Sequence, residues 1–204
     1  MPRSKSSNRW LEEHFSDQFV KQSQRDGYRS RAAYKLLELQ QKDQLIKPGM
    51  TVVDLGAAPG GWSQVLSHIL GDRGQVVALD ILPMDHFADV HFIQGDFTEQ
   101  AVYDELMNVV GERQVDLVVS DMAPNLTGNK TTDSAQSMYL VELATEFAQA
   151  VLPVGGQLVT KVFQGQGYEA WLKQLRQHFN QVKIRKPQAS RDRSAEVYVV
   201  ATRC

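Results

Sequence analysis

The chain has 204 residues, 42% of them hydrophobic and 23% charged, which excludes a disordered protein and leaves room for one substantial core. Its single cysteine, Cys204, excludes a disulfide framework, a thiolate zinc site and paired catalytic thiols. The formal net charge of −2 hides a segregation. Residues 1–35 hold eight Lys/Arg against four Asp/Glu, residues 183–193 hold five against Asp192 alone, and the stretch between is strongly acidic. Two basic ends brought together would form a phosphate-binding surface; charged ends that merely solvate the chain are the plainer alternative.

The five histidines (His14, His68, His86, His91 and His178) follow no ligand spacing, so no metal site is expected. No apolar run reaches the roughly 18 residues of a membrane helix. The basic start has no apolar stretch behind it, as a secretory signal would, so a cytoplasmic protein is expected.

Residues 1–13 read as a loose basic arm and 14–204 as one domain. From Ser30, a plausible N-cap, helix formers run to Leu45, and Lys47-Pro48-Gly49 stops them. Strand and helix then alternate: strand 51–55, helix 61–70, strand 75–80, strand 91–96, helix 98–110 and strand 115–121. A long amphipathic helix over 133–151 ends at Pro153 and Gly155-Gly156, followed by strand 157–163, helix 167–179 and strands 181–186 and 196–203. This is an α/β pattern: a seven-stranded, mostly parallel sheet covered on both faces. The last two strands are joined by too few residues for a parallel crossover, which needs about a dozen, so they are expected to pair antiparallel.

Ligands of such sheets sit at the carboxyl ends of the strands. The first strand runs into Asp54-Leu55-Gly56-Ala57-Ala58-Pro59-Gly60-Gly61-Trp62. Its glycines permit a tight turn and close backbone approach. A dinucleotide fingerprint would need glycine at position 58, which is alanine, and Pro59 removes an amide donor. A ligand without a pyrophosphate is therefore favoured. Asp80 ends the second strand, where an acid can accept ribose hydroxyls. Asp96, ahead of Phe97, could accept the exocyclic amine of an adenine. Asp54, Asp80, Asp96 and Asp121 each follow a successive strand, a joint pattern that loop acids rarely make. Gly60 and Trp62 complete the cofactor candidates, Trp62 as a wall of the pocket or as a core residue.

Lys161 lies within an apolar strand, where an ammonium is costly unless paired, functional or able to snorkel to the edge. Lys35 precedes the sheet, Asp121 ends the fourth strand and Glu196 opens the last. Tyr198 leaves the same strand face as Glu196, free to stack on a nucleotide or to sit half-buried at the sheet edge. Arg29, Arg31 and the 183–193 run are candidate phosphate contacts.

DLGAAPGGWSQ (54–64) resembles the cofactor motif of the FtsJ/RrmJ family, the RlmE-type ribosomal RNA ribose 2′-O-methyltransferases. SDMAPNLTG (120–128), VTKVFQG (159–165) and SAEVYVVAT (194–202) are similar to further motifs of that family, in its order and spacing. The resemblance implies a Rossmann-like methyltransferase fold with S-adenosylmethionine as methyl donor, bound by Gly60, Trp62, Asp80, Asp96 and Asp121. It further implies a Lys35-Asp121-Lys161-Glu196 catalytic tetrad, with Lys161 either accepting the hydroxyl proton or orienting the nucleophile as a cation. The implied substrate is a uridine of large-subunit ribosomal RNA within the assembled subunit, and the implied state a monomer. The nearest rival, an amino-group methyltransferase, commonly carries an acid-Pro-Pro-aromatic turn, and here the turn is Asp121-Met122-Ala123-Pro124. Cap-type ribose methyltransferases share the tetrad logic, and the short chain, with no added cap-reading domain, favours the ribosomal branch. A non-enzymatic RNA-binding module would explain the basic ends but not the strand-end acids with Lys161.

Overall fold

Seven strands form one sheet in the order β3-β2-β1-β4-β5-β7-β6. The strands are β1 (Thr51–Leu55), β2 (Gln75–Asp80), β3 (Val90–Gln94), β4 (Leu117–Ser120), β5 (Gln157–Phe163), β6 (Phe179–Arg185) and β7 (Glu196–Arg203). The computed structural model describes residues 17–125, 127–191 and 194–204. The basic arm expected at 1–13 lies outside the described residues. Strands β1 to β5 are mutually parallel, and β7 runs antiparallel to both β5 and β6. Apolar β-branched runs such as Thr51-Val52-Val53 and Gln75-Val76-Val77 suit strands buried on both faces.

Helices cover the two faces. On one side lie α2 (Ala33–Asp43) and α3 (Gly61–Leu70), with Leu36, Leu39, Trp62 and Leu66 in the core. On the other lie α4 (Gln100–Val110), α5 (Lys130–Val151) and α6 (Tyr168–His178), burying Leu106, Phe147, Trp171 and Leu175. Ahead of them, α1 spans Gln18–Asp26; Asp17 caps it by accepting from Phe19 N, and Gly27 ends it in the left-handed conformation.

Two differences from the sequence reading concern the entry to the sheet. Helix α1 was not expected at all. Ser30 is not the N-cap of α2, which starts at Ala33 behind Ala32 with no side-chain cap; the Ser30 hydroxyl is instead buried against Gly61. Residues 27–32 lie over the amino end of α3, where Gly27 O and Ala32 O accept from Gln64 and Trp62 and Arg29 N donates to Gln64.

Candidate active site

The sheet order reverses between β1 and β4, and the carboxyl ends of β1 to β4 open on a cavity of about 650 Å³. Gly56 makes the approach of its two central loops possible. Its φ is +79°, and a Cβ there would lie 2.8 Å from Met122 N. Three aspartates line the cavity, Asp80, Asp96 and Asp121, and no Lys, Arg or His does so among the described residues. An acidic lining favours a cationic ligand and opposes a pyrophosphate.

Asp80 is fixed by Ala58 N and Leu82 N, each at 2.8 Å. Asp96 accepts from Thr98 N and Thr98 Oγ1 at 2.9 and 2.7 Å through Oδ1, which leaves Oδ2 unused among the described residues. Phe97 lines the cavity beside it.

The other expected cofactor residues sit elsewhere. Gly60 opens α3 in the left-handed region at φ +104°, and Phe87 and Met84 pack on it, outside the cavity lining. Trp62 does not line the cavity: its side chain is turned into the core, where it is 2% exposed, Nε1 donates to Ala32 O at 2.8 Å, and the ring lies 5.6 Å from that of Tyr198. Asp54 also faces the core, with Ser63 Oγ donating to it at 2.7 Å. Burial pushes its carboxyl up to about 7, against the Ser63 hydrogen bond and with help from the charges of Asp121 and Asp80.

Beside the cavity the four remaining candidates converge. Lys161 extends from β5 with 7% exposure and its Nζ meets Asp121 Oδ1 at 3.2 Å and Asp121 O at 2.5 Å. Lys35 Nζ, from α2, meets Glu196 Oε1 at 2.7 Å. Tyr198 joins the two pairs: its hydroxyl donates to Asp121 Oδ1 at 2.6 Å and accepts from Lys35 Nζ at 3.0 Å. It has no exposed surface, so it cannot stack on a nucleotide. Its position opposite Lys161 across the β5–β7 ladder, and the weight of Trp62 on its ring, turn it inward. Two cations and two anions thus balance in a poorly solvated cluster, which a lone lysine in β5 could not do.

Burial alone would raise the Asp121 carboxyl, but the Lys161 and Lys35 ammoniums and the Tyr198 hydroxyl outweigh it and hold Asp121 below its usual range. Burial, then the charges of Asp121 and Glu196, push the Tyr198 phenol well above its usual value, so it stays protonated and donates. Asp121 is the one residue shared by cavity and cluster.

The expected phosphate contacts are largely engaged within the chain. The Arg29 guanidinium donates to the carbonyls of Asp85 and His86 and lies 3.4 Å over the Phe87 ring. Arg31 pairs with Asp17 at 2.6 Å and donates to Ala189 O. Lys183 and Arg185 both bind Asp43, and Lys186 binds the Ser194 and Glu196 carbonyls. Among the described residues, Arg31 meets the 183–191 segment at Ala189 O, and the basic side chains there are held mostly by partners within the chain.

A family model described as FtsJ-like methyltransferase matches residues 28–204. The chain belongs to the FtsJ-like methyltransferase family. It is 59% identical over 201 residues to the ribosomal RNA large subunit methyltransferase E of Pseudomonas paraeruginosa, covering 98% of this chain and 97% of that protein. It is 62% identical over 200 residues to the protein of the same name in Cellvibrio japonicus, covering 98% and 95%. Among solved structures, a ribosomal RNA methyltransferase from Plasmodium falciparum superposes with a TM-score of 0.77 at 30% identity, covering 86% of this chain and 98% of that one. Fibrillarin from Aeropyrum pernix, solved with bound S-adenosylmethionine, shares the fold at a TM-score of 0.58 and 20% identity, over 86% of this chain and 75% of that one.

S-adenosylmethionine is the methyl donor of this family, and the cavity of this FtsJ-like methyltransferase fits it. The acidic lining suits a sulfonium cation, and Asp80 and Asp96 suit ribose hydroxyls and an adenine amine. No helix among the described residues is long and apolar enough to cross a membrane.

Proposed function

We propose that the chain methylates a ribose 2′-hydroxyl of large-subunit ribosomal RNA, at a uridine in the assembled subunit, acting in the cytoplasm as a monomer. One observation carries the ribose reading: the cavity ends on Asp121, and Asp121 is held by Lys161 within a neutral cluster of two lysines and two acids. The donor supplies a methyl group already activated by its sulfonium. What the protein must add is alignment of a weak oxygen nucleophile and a destination for its proton. Lys161 takes that proton as a neutral amine, having first passed the proton of its Asp121-paired ammonium to solvent. Asp121 fixes the Lys161 ammonium nitrogen, and Lys35 and Glu196 hold the ribose side of the cluster. The new bond forms from the 2′-oxygen to the methyl carbon, and the carbon–sulfur bond breaks with its electrons left on sulfur.

The names of the relatives support ribosomal RNA as the substrate. The deciding experiment supplies labelled S-adenosylmethionine and ribosomal subunits from a strain lacking this protein, then maps the label. Label on one ribose of large-subunit RNA is the expected result; label on a base or a ribosomal protein overturns the reading. Transfer to free RNA as fast as to subunits would remove the assembled particle from it.

A further inference from the structure

We propose that Ser190, on the loop between β6 and β7, is a positioning residue for methyl transfer that acts through Glu196. The inference rests on the ribose reading above. Ser190 is 3% exposed, although it lies in a loop. Its Oγ donates to Glu196 Oε1 at 2.8 Å. Buried hydroxyls need a partner, and among the described residues this one spends its proton on the tetrad carboxylate.

Glu196 Oε1 accepts from Lys35 Nζ at 2.7 Å and from Ser190 at 2.8 Å, with Tyr198 more distant at 3.5 Å. A lysine reaches its partner along a flexible stem and can follow a carboxylate that swings. A serine on a pinned loop cannot. The loop is pinned on several sides: Arg31 donates to Ala189 O, Gln188 N donates to Glu38 Oε2 at 2.7 Å, Ser190 N donates to Pro187 O at 2.9 Å, and Lys186 holds the Ser194 and Glu196 carbonyls. Ser190 therefore transmits the position of the pinned segment 186–190 to the carboxylate and, through it, to Lys35. Arg31, expected to contact phosphate, serves this loop instead.

The test uses the full chain with ribosomal subunits. Ser190→Ala is expected to lower kcat about tenfold, the worth of one hydrogen bond to a charged group, with KM for the subunit and Kd for S-adenosylmethionine unchanged. Ser190→Cys, which keeps the volume but is a weak donor, should match it. A crystal structure of the alanine variant should show the Glu196 carboxylate displaced from its wild-type position, with Lys35 Nζ following it. Unchanged kcat, a loss that appears in KM alone, or an unmoved Glu196 overturns the proposal. If the wild-type protein places no methyl on a ribose, the ribose reading fails; an active wild type with an indifferent Ser190→Ala strikes this inference alone.

Discussion

Replacing Tyr198 by phenylalanine isolates the one hydroxyl that joins the two ion pairs. The ring has no exposed surface and packs beside Trp62, so the substitution keeps the core filled and removes only the donor to Asp121 and the acceptor for Lys35. A hydrogen bond to a charged group contributes about 1.5–3 kcal/mol. Lys35 keeps Glu196 and Asp121 keeps Lys161, so the net loss should be about 2 kcal/mol rather than the sum of both bonds. For a domain of this length that lowers Tm by about 4–8 °C. Part of the same energy is spent on alignment, so kcat should fall roughly threefold to thirtyfold, the upper figure being the whole of about 2 kcal/mol. Tyr198 does not line the cavity, and Kd for S-adenosylmethionine should stay within about threefold. The variant also removes one of the groups that hold the Asp121 carboxyl low. Asp121 then protonates at a higher pH, and the acid limb of the kcat profile moves upward. Initial rates of label transfer to ribosomal subunits, with donor binding by calorimetry, decide the matter. A kcat within twofold of wild type, or a loss seen only in donor Kd, would falsify the claim that this hydroxyl organises the cluster.

Three further outcomes follow from the same geometry. Lys161→Ala should bind S-adenosylmethionine normally, because Lys161 lies outside the cavity lining, and lose about a thousandfold or more in transfer; near-wild-type turnover removes it from the mechanism. Burial lifts the Asp54 carboxyl from its usual 3.8 to about 7, so the folded state holds the extra proton and stability falls as pH rises between them, by at most about 4 kcal/mol. Asp54→Asn should flatten Tm between pH 5 and pH 8, a range chosen to bracket that titration, and equal slopes in both proteins would contradict the buried titration. Asp43→Ala releases Lys183 and Arg185 from a carboxylate that is only 1% exposed; it should cost about 1–3 kcal/mol in urea unfolding and steepen the salt dependence of RNA binding. An unchanged salt slope would mean that this sheet edge faces away from RNA.

Elements whose character is set by local pattern were legible, and those set by a distant partner were not. Strands β1, β2, β5 and β7 and helix α3 fall on the expected residues because apolar patterns define them, with glycines closing β1, α3 and β5 on both sides and β2 at its start. Helix α1 carries an aspartate cap and a glycine stop, but between them Gln18 to Asp26 buries only Val20 and Ser23, too thin a stripe to register as periodic. The tetrad residues could be picked out because a lysine in an apolar strand demands a partner. Tyr198 could not be given its role, since period-two alternation shows which face it leaves but not that Asp121 and Lys35 wait there. Trp62 misled for a related reason. A tryptophan beside a glycine turn can face either way, and here Ala32 O, supplied by a segment thirty residues earlier, captures its indole N–H. For the arginines, charge in sequence does not reveal that Asp17, Asp43 or a backbone carbonyl also binds the side chain.

The arrangement also explains why one carboxylate is shared between cavity and cluster. In the proposed mechanism Lys161 enters as a neutral amine, so transfer begins with a positive charge on the donor and ends with one on the protonated lysine, and a unit charge moves while the total stays constant. Moving it through a poorly solvated site is expensive unless an anion stands by at both ends. Asp121 lines the cavity with one face and binds Lys161 through both its side chain and its carbonyl. It is held ionised by cations on either side, and Tyr198 fixes its orientation without adding charge. Asp54, the remaining strand-end acid, is turned into the core and burial lifts its carboxyl towards neutrality, so it adds little negative charge beside the transferring group. The four strand-end aspartates therefore differ in place: Asp80 and Asp96 line the cavity, Asp121 joins cavity and cluster, and Asp54 is buried in the core.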